Sequence, residues 1–182
     1  MTTESTLYFN HGKLKFAAGH FTIFSETERE PLHGHNYTLE VIVTAEMGEP
    51  GITFDYRLFE EKLIQLCLKL NWHFLLPENS PYCVIKDDGE HYEIIYNHKS
   101  MWLLKEDVVL LPLENVTLET LSQWFINELH HDHDFLAAFK IKKLVIKVFN
   151  GPCHAAEAVM CTDLIGCVEC DISTSVIPRN RA

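Results

Sequence analysis

The chain has 182 residues, 47% of them hydrophobic and 23% charged, with a formal net charge of −11 at pH 7. That length is enough for one domain with a substantial core, expected over residues 1–182. The acidic balance, without any Lys/Arg cluster, excludes a nucleic-acid-binding surface, and no run approaches the roughly 18 apolar residues of a membrane-spanning helix.

The opening Met1–Thr6 is polar and has no signal-peptide apolar region, so a cytoplasmic protein is expected. The six cysteines (Cys67, Cys83, Cys153, Cys161, Cys167 and Cys170) are then expected as thiols. Cys167-Val168-Glu169-Cys170 has no partner pair at zinc-ribbon spacing and reads as buried or strand cysteines.

Two strand-like runs come first, over about 7–21 and 36–46. A charged loop, Ser25–Pro31, joins them. The first run ends on His20. The second opens on His33-Gly34-His35. In a strand, side chains at i and i+2 share a face, so His33 and His35 point the same way from positions roughly 7 Å apart. If the two runs pair as a hairpin, His20 falls beside them. Three neutral imidazoles with an open fourth position describe a catalytic zinc site, with Zn–N distances of about 2.0–2.1 Å. The plainer alternative is a set of surface or satisfied core histidines. Gly34 leaves the backbone between the two ligands open to close approach.

Asp55 is a helix N-cap, and Leu58, Phe59, Leu63, Leu66, Cys67 and Leu70 then recur at helical spacing, predicting a helix over 56–70. Residues 84–86, 92–96 and 100–104 read as short strands separated by turns at Asp88-Gly89 and Asn97-His98-Lys99. They suggest a small inserted hairpin near 84–106. Residues 107–112 are extended or loop. Thr117 is a second N-cap, and Leu118, Leu121, Phe125 and Leu129 form the apolar face of a helix over 118–130. His130–Asp134 reads as its solvated end. Strands over 142–149 and near 157–171 close the chain. Strands grouped apart from helices indicate an α+β fold.

With these elements in place, the chain resembles the 6-pyruvoyl-tetrahydropterin synthase and 6-carboxy-tetrahydropterin synthase family. The resemblance rests on Phe16-Ala17-Ala18-Gly19-His20, His33-Gly34-His35-Asn36-Tyr37 and Phe54-Asp55. Leu70–Pro77 and Glu114–Glu119 add softer matches. The resemblance implies a tunnelling fold: a four-stranded antiparallel sheet with two helices on one face. It implies a homo-oligomer, a hexamer-like barrel with active sites between subunits, acting on the small-molecule pterin 7,8-dihydroneopterin triphosphate. It also implies Zn²⁺ on His20, His33 and His35 as a Lewis acid, with neither nucleic acid nor membrane as partner.

Three positions depart from the family pattern. No cysteine stands before His33-Gly34-His35. Glu30 stands three residues before His33, which resembles a variant subgroup that cleaves the side chain to 6-hydroxymethyl-dihydropterin. Glu30 is thus the candidate general base; otherwise it is one of several loop acids. The family's aspartate before the catalytic histidine is Trp72, leaving His73 as a proton-transfer candidate without an orienting carboxylate, or as a packed histidine. The family's pterin-anchoring glutamate is Asn150, an amide that can accept and donate but carries no charge. Glu157 is near but matches less well. Thr117 matches a ring-contact position. A catalytically silent zinc- or heterocycle-binding scaffold of the same fold is the alternative. A double-stranded-barrel oxygenase would also use His-x-His, but the two clear helices argue against it.

Overall fold

The longest alternation of apolar and polar residues in the chain makes its longest strand. The computed structural model describes residues 3–10 and 12–162. In chain order its elements are β1 (Thr3–Phe9), β2 (Lys15–His20), β3 (His33–Met47), α1 (Tyr56–Leu70), β4 (His73–Pro77), β5 (Cys83–Asp87), β6 (His91–Tyr96), β7 (Lys99–Leu104), β8 (Val108–Leu111), α2 (Leu118–His130), α3 (His133–Ala138), β9 (Ile141–Phe149) and β10 (Ala155–Cys161).

β3 buries Tyr37, Leu39, Val41, Val43 and Ala45 on one face. Both of its edges are occupied. On one side β2 pairs with its first half and β1 with its second; on the other, β9 pairs along its length and β10 follows. All these pairs are antiparallel, and β2, β3, β9 and β10 are the four expected strands. β4 and β8 extend the sheet beyond β2 in parallel, giving the order β10-β9-β3-β2-β4-β8.

α1 and α2 lie on one face of this sheet. Phe59, Leu63, Leu66 and Leu70 of α1, with Leu121, Phe125 and Leu129 of α2, pack against Leu39, Val41, Val43, Leu144, Ile146 and Val148. Fully burying such side chains contributes about 1.5–3 kcal/mol each. The predicted caps hold: Asp55 accepts from the Arg57 amide at 3.0 Å and Thr117 from the Thr120 amide at 3.3 Å.

Several expectations need correction. The run over 7–21 is two strands, because a turn before Lys15 lets β1 and β2 take successive halves of β3. Residues 108–111 are a strand, held by parallel pairing to β4. The insertion is a three-stranded antiparallel sheet, not a hairpin; Asn97 and His98, both at positive φ, make its second turn as read. Asp132 caps α3 through the Phe135 amide at 3.2 Å, so the predicted helix end opens a further helix. β10 begins at Ala155, and the rest of the expected last strand, with Cys167 and Cys170, lies outside the described residues.

The inserted sheet makes its own small core, with Ile94 and Tyr96 against Phe21, Ile23, Leu76 and Val108. Phe74 lies directly over Gly19. A Cβ on Gly19 would stand 2.7 Å from the Phe74 ring, and one on Gly34 would stand 3.0 Å from the Ala18 carbonyl oxygen. Gly19 and Gly34 are register partners, so β2 and β3 carry no side chain on that face at this level and leave it to Phe74 of β4. Gly19→Ala should therefore destabilise the protein by about 1–3 kcal/mol, read from urea midpoints. An unchanged midpoint would show that the Phe74 ring turns aside freely.

Candidate functional site

The β2–β3 register decides what the histidines can do. His20 pairs with His33, and Ala18 with His35, so all three imidazoles emerge on one face at one end of the strands. Ring centroids are 4.5 Å apart for His20–His33, 5.2 Å for His20–His35 and 4.7 Å for His33–His35. One ligand nitrogen from each lies within 4.8 Å of the others, and the Nε2 atoms of His33 and His35 are 3.0 Å apart. Two nitrogens bound tetrahedrally to one zinc stand about 3.3–3.4 Å apart, so small side-chain adjustments would accommodate the ion.

The second ring nitrogens set the tautomers. His20 Nδ1 donates to the Val116 carbonyl at 3.0 Å, and His33 Nδ1 to the Pro31 carbonyl at 2.9 Å. A carbonyl only accepts, so each Nδ1 carries the proton and each Nε2 presents a lone pair. This is the outer-shell arrangement of metal-binding histidines. His20 is 5% exposed, and its Nε2 has no hydrogen-bond partner. Burial lowers its pKa from the ordinary 6.5 to about 4, and burial also lowers that of His35. Neutral, converging imidazoles are the donor set that Zn²⁺ takes.

Glu30 faces this group. Its Oε2 is 3.9 Å from His33 Nε2 and accepts the Thr22 amide at 3.1 Å, while its own amide donates to the Thr22 carbonyl at 2.9 Å. Burial pushes the carboxyl up, but the hydrogen bonds from Thr22 and the nearby imidazoles of His33 and His20 outweigh it, and the net shift is below the ordinary carboxylate value. Tyr37, two residues beyond His35, packs its ring 5.5 Å from His35 and 6.1 Å from His20; burial raises its hydroxyl pKa and keeps it neutral.

His73 opens β4 in register with Ala18. His35, Ala18 and His73 thus form one row across three strands, with His73 two strand spacings, about 9–10 Å, from His35. Its Nδ1 is buried without a partner. Trp72 gives it none: it sits at φ +67° and is 83% exposed. Asn150 lies one residue past the Thr38–Phe149 pair, level with Tyr37, and its Oδ1 is likewise buried and unpartnered. Among the described residues, the unpartnered buried side-chain atoms are those of His20, His73 and Asn150, all singled out in the sequence. Thr117 is committed to the α2 cap and adjoins Val116. Glu157 lies elsewhere, half exposed and 4.0 Å from Lys147. The sequence did not reveal the Val116 and Pro31 carbonyls or the Thr22 amide, since backbone groups leave no residue-type signal. Tyr37 was legible as the i+2 neighbour of His35.

The fold and site define an α+β protein with a three-imidazole group able to hold one metal ion. The family model for 6-pyruvoyl tetrahydropterin synthase matches residues 11–158, and the chain belongs to that family. It is 26% identical over 144 residues to a Pyrococcus horikoshii protein named "Putative 6-carboxy-5,6,7,8-tetrahydropterin synthase", covering 79% of this chain and 84% of that one. A protein of the same name from Methanocaldococcus jannaschii is 28% identical over 122 residues, 65% and 73% of the two chains. The crystal structure of Plasmodium vivax 6-pyruvoyl tetrahydropterin synthase shares the tunnelling fold at a TM-score of 0.81 and 24% identity, covering 87% of this chain and 99% of that one.

The neutral state of His20 makes stability pH-dependent. Its folded pKa lies below the unfolded value, so the stabilisation is complete above pH 6.5 and is lost as pH falls toward 4. Metal-free protein should lose roughly 3 kcal/mol across that window. A His20→Gln variant should lose less, by urea titration at several pH values. The same acid loss in the variant would assign it to other groups.

Proposed function

We propose that this chain is a zinc-dependent lyase of the pterin synthase type, acting on 7,8-dihydroneopterin triphosphate or a close pterin relative. The observation that carries the reading is the convergence of His20, His33 and His35, with the Glu30 carboxylate 3.9 Å from His33. His20, His33 and His35 would hold Zn²⁺, which when bound supplies a Lewis acid for the substrate's side-chain oxygens.

The chain's own groups do the rest. Glu30, held by the Thr22 amide and ionised at neutral pH, removes a proton from a side-chain carbon of the substrate. His73 exchanges a proton from its unpartnered Nδ1, across the row from His35. Asn150 accepts an N–H of the heterocycle at its free Oδ1, and Thr117 borders the ring. A further Plasmodium vivax structure of this fold, at 23% identity, is described as a catalytic-residue mutant in which a glutamate is replaced by alanine, and this supports a glutamate base. Residues 1–182 then form one pterin-synthase-like domain, working as a homo-oligomeric barrel with sites between subunits.

The loss of an orienting carboxylate at Trp72 favours a second reading, a zinc-binding scaffold without turnover. Mass spectrometry of the zinc-loaded protein after incubation with 7,8-dihydroneopterin triphosphate separates the two. A hydroxymethyl, carboxy or pyruvoyl pterin is expected; intact substrate beside stoichiometric zinc would establish the scaffold. His33→Ala should remove most bound zinc by elemental analysis, and unchanged content would move the ligand set. Glu30→Gln should abolish turnover, by at least about 100-fold, with zinc retained; full activity would place the base elsewhere.

A further inference from the structure

Asn115 touches neither the three imidazoles nor Glu30, yet both depend on where it sits. Its carboxamide clasps one stretch of backbone from both sides. Oδ1 accepts the Ile23 amide at 3.1 Å and Nδ2 donates to the Ile23 carbonyl at 2.8 Å. These are the two bonds a neighbouring strand would make, supplied by a side chain 92 residues away in sequence. Oδ1 also accepts the Val116 amide at 3.1 Å, and the Asn115 carbonyl accepts the Thr120 hydroxyl at 2.8 Å. Both acceptor sites of Oδ1 and one of the two Nδ2 hydrogens are thus committed to the protein's own backbone.

What it joins are the two backbone groups that orient the site. On one side is Val116, whose carbonyl fixes His20 in the tautomer with a free Nε2. On the other is Ile23, next to Thr22, whose amide and carbonyl hold Glu30 at both its side chain and its backbone. The segment Phe21–Ile23 has no ladder partner in the large sheet; Ile23 makes one isolated bridge, to Arg29 of its own loop. Asn115 ties that segment to the start of α2. A shift of α2 relative to the loop would change the spacing between the carbonyl behind His20 and the amide behind Glu30.

Resting on the zinc-lyase reading above, we infer that Asn115 is a positioning residue: it sets the metal-binding tautomer of His20 and the placement of the Glu30 carboxylate together, through Val116 and Thr22. Removing its carboxamide loosens both without removing a ligand or a base. Outer-shell groups of this kind typically hold 10–100-fold in metal affinity.

The test compares wild type, Asn115→Ala and Asn115→Asp with Ile126→Val, a core change on α2 that leaves the Asn115 contacts alone. Zinc affinity is measured by chelator competition, ligand geometry by the visible spectrum of the Co²⁺-loaded protein, and the Glu30 side by amide exchange of Thr22. Asn115→Ala is expected to bind zinc about 10–100-fold more weakly, alter the cobalt bands and speed Thr22 exchange, while Ile126→Val lowers only the melting temperature. Asn115→Asp keeps the acceptor and loses the donor to Ile23; it is expected to show the same changes at smaller size and decides the matter if the alanine variant does not fold. Wild-type affinity, spectrum and exchange in the Asn115 variants overturn the inference alone. Absence of saturable zinc or cobalt binding in the wild type and in Ile126→Val overturns the zinc reading and the inference with it.

Discussion

The antiparallel register that sets His20 opposite His33 is the constraint on which the site depends. A slip of one residue between β2 and β3 would send His20 to the opposite face and leave two imidazoles where three now meet. The register is held by packing rather than by the histidines. Phe16 stacks on its partner Tyr37 at 4.8 Å between centroids, and both are buried under α1 and α2. Gly19 and Gly34 pair three register positions further on, on the opposite face, and Phe74 fills the space they leave. A slip would bury Lys15 or Asn36 in the helix-covered core, at a cost of several kcal/mol for an unpaired polar group.

Gathering three imidazoles within 5 Å or so would be unfavourable if they were charged, and the fold prepares the group for a cation through burial and through carbonyl partners. Burial disfavours the protonated form of His20 and His35. The carbonyls of Val116 and Pro31 then occupy the Nδ1 protons of His20 and His33. One effect selects the charge state and the other the tautomer, and both are needed before two lone pairs can point at one place. Since both carbonyls belong to chain segments outside the sheet, the ligands come from β2 and β3 but their protonation is decided by the loop before β3 and the start of α2.

What could be read from the sequence follows the range of the physics involved. The His-x-His spacing, the caps at Asp55 and Thr117 and the helices over 56–70 and 118–130 are local, and they appear where expected. The parallel strands β4 and β8 were not legible, because a parallel pair is joined by distant chain and Leu75, Leu76 and Val109 show no alternation. The third strand of the insertion and its turn at Asn97-His98 are visible in the sequence, but the run reads there as part of a hairpin rather than as a third strand paired with β6. Asn115 stood in a recognisable helix-start motif, but a residue bonded to backbone 92 positions away has no local signature.

The insertion also bears on Glu30. Tyr96, from β6, donates its hydroxyl proton to the Ser25 carbonyl at 3.0 Å, and the Arg29 guanidinium lies over the rings of Phe21 and Tyr96 at 5.0 and 5.8 Å. Arg29 donates to the Glu30 carbonyl at 2.6 Å. The loop carrying Glu30 is thus braced from above by the inserted sheet and from below by Asn115, which makes a freely solvated acid a poor description of Glu30. The unpartnered atoms point the same way. An unsatisfied buried polar atom costs about 1–3 kcal/mol, so His20, His73 and Asn150 together consume a sizeable part of a typical domain's 5–15 kcal/mol. A fold with nothing to bind would be more stable with apolar residues at His73 and Asn150. Under the pterin-lyase reading proposed above, a ligand with polar atoms facing both positions would offset that cost.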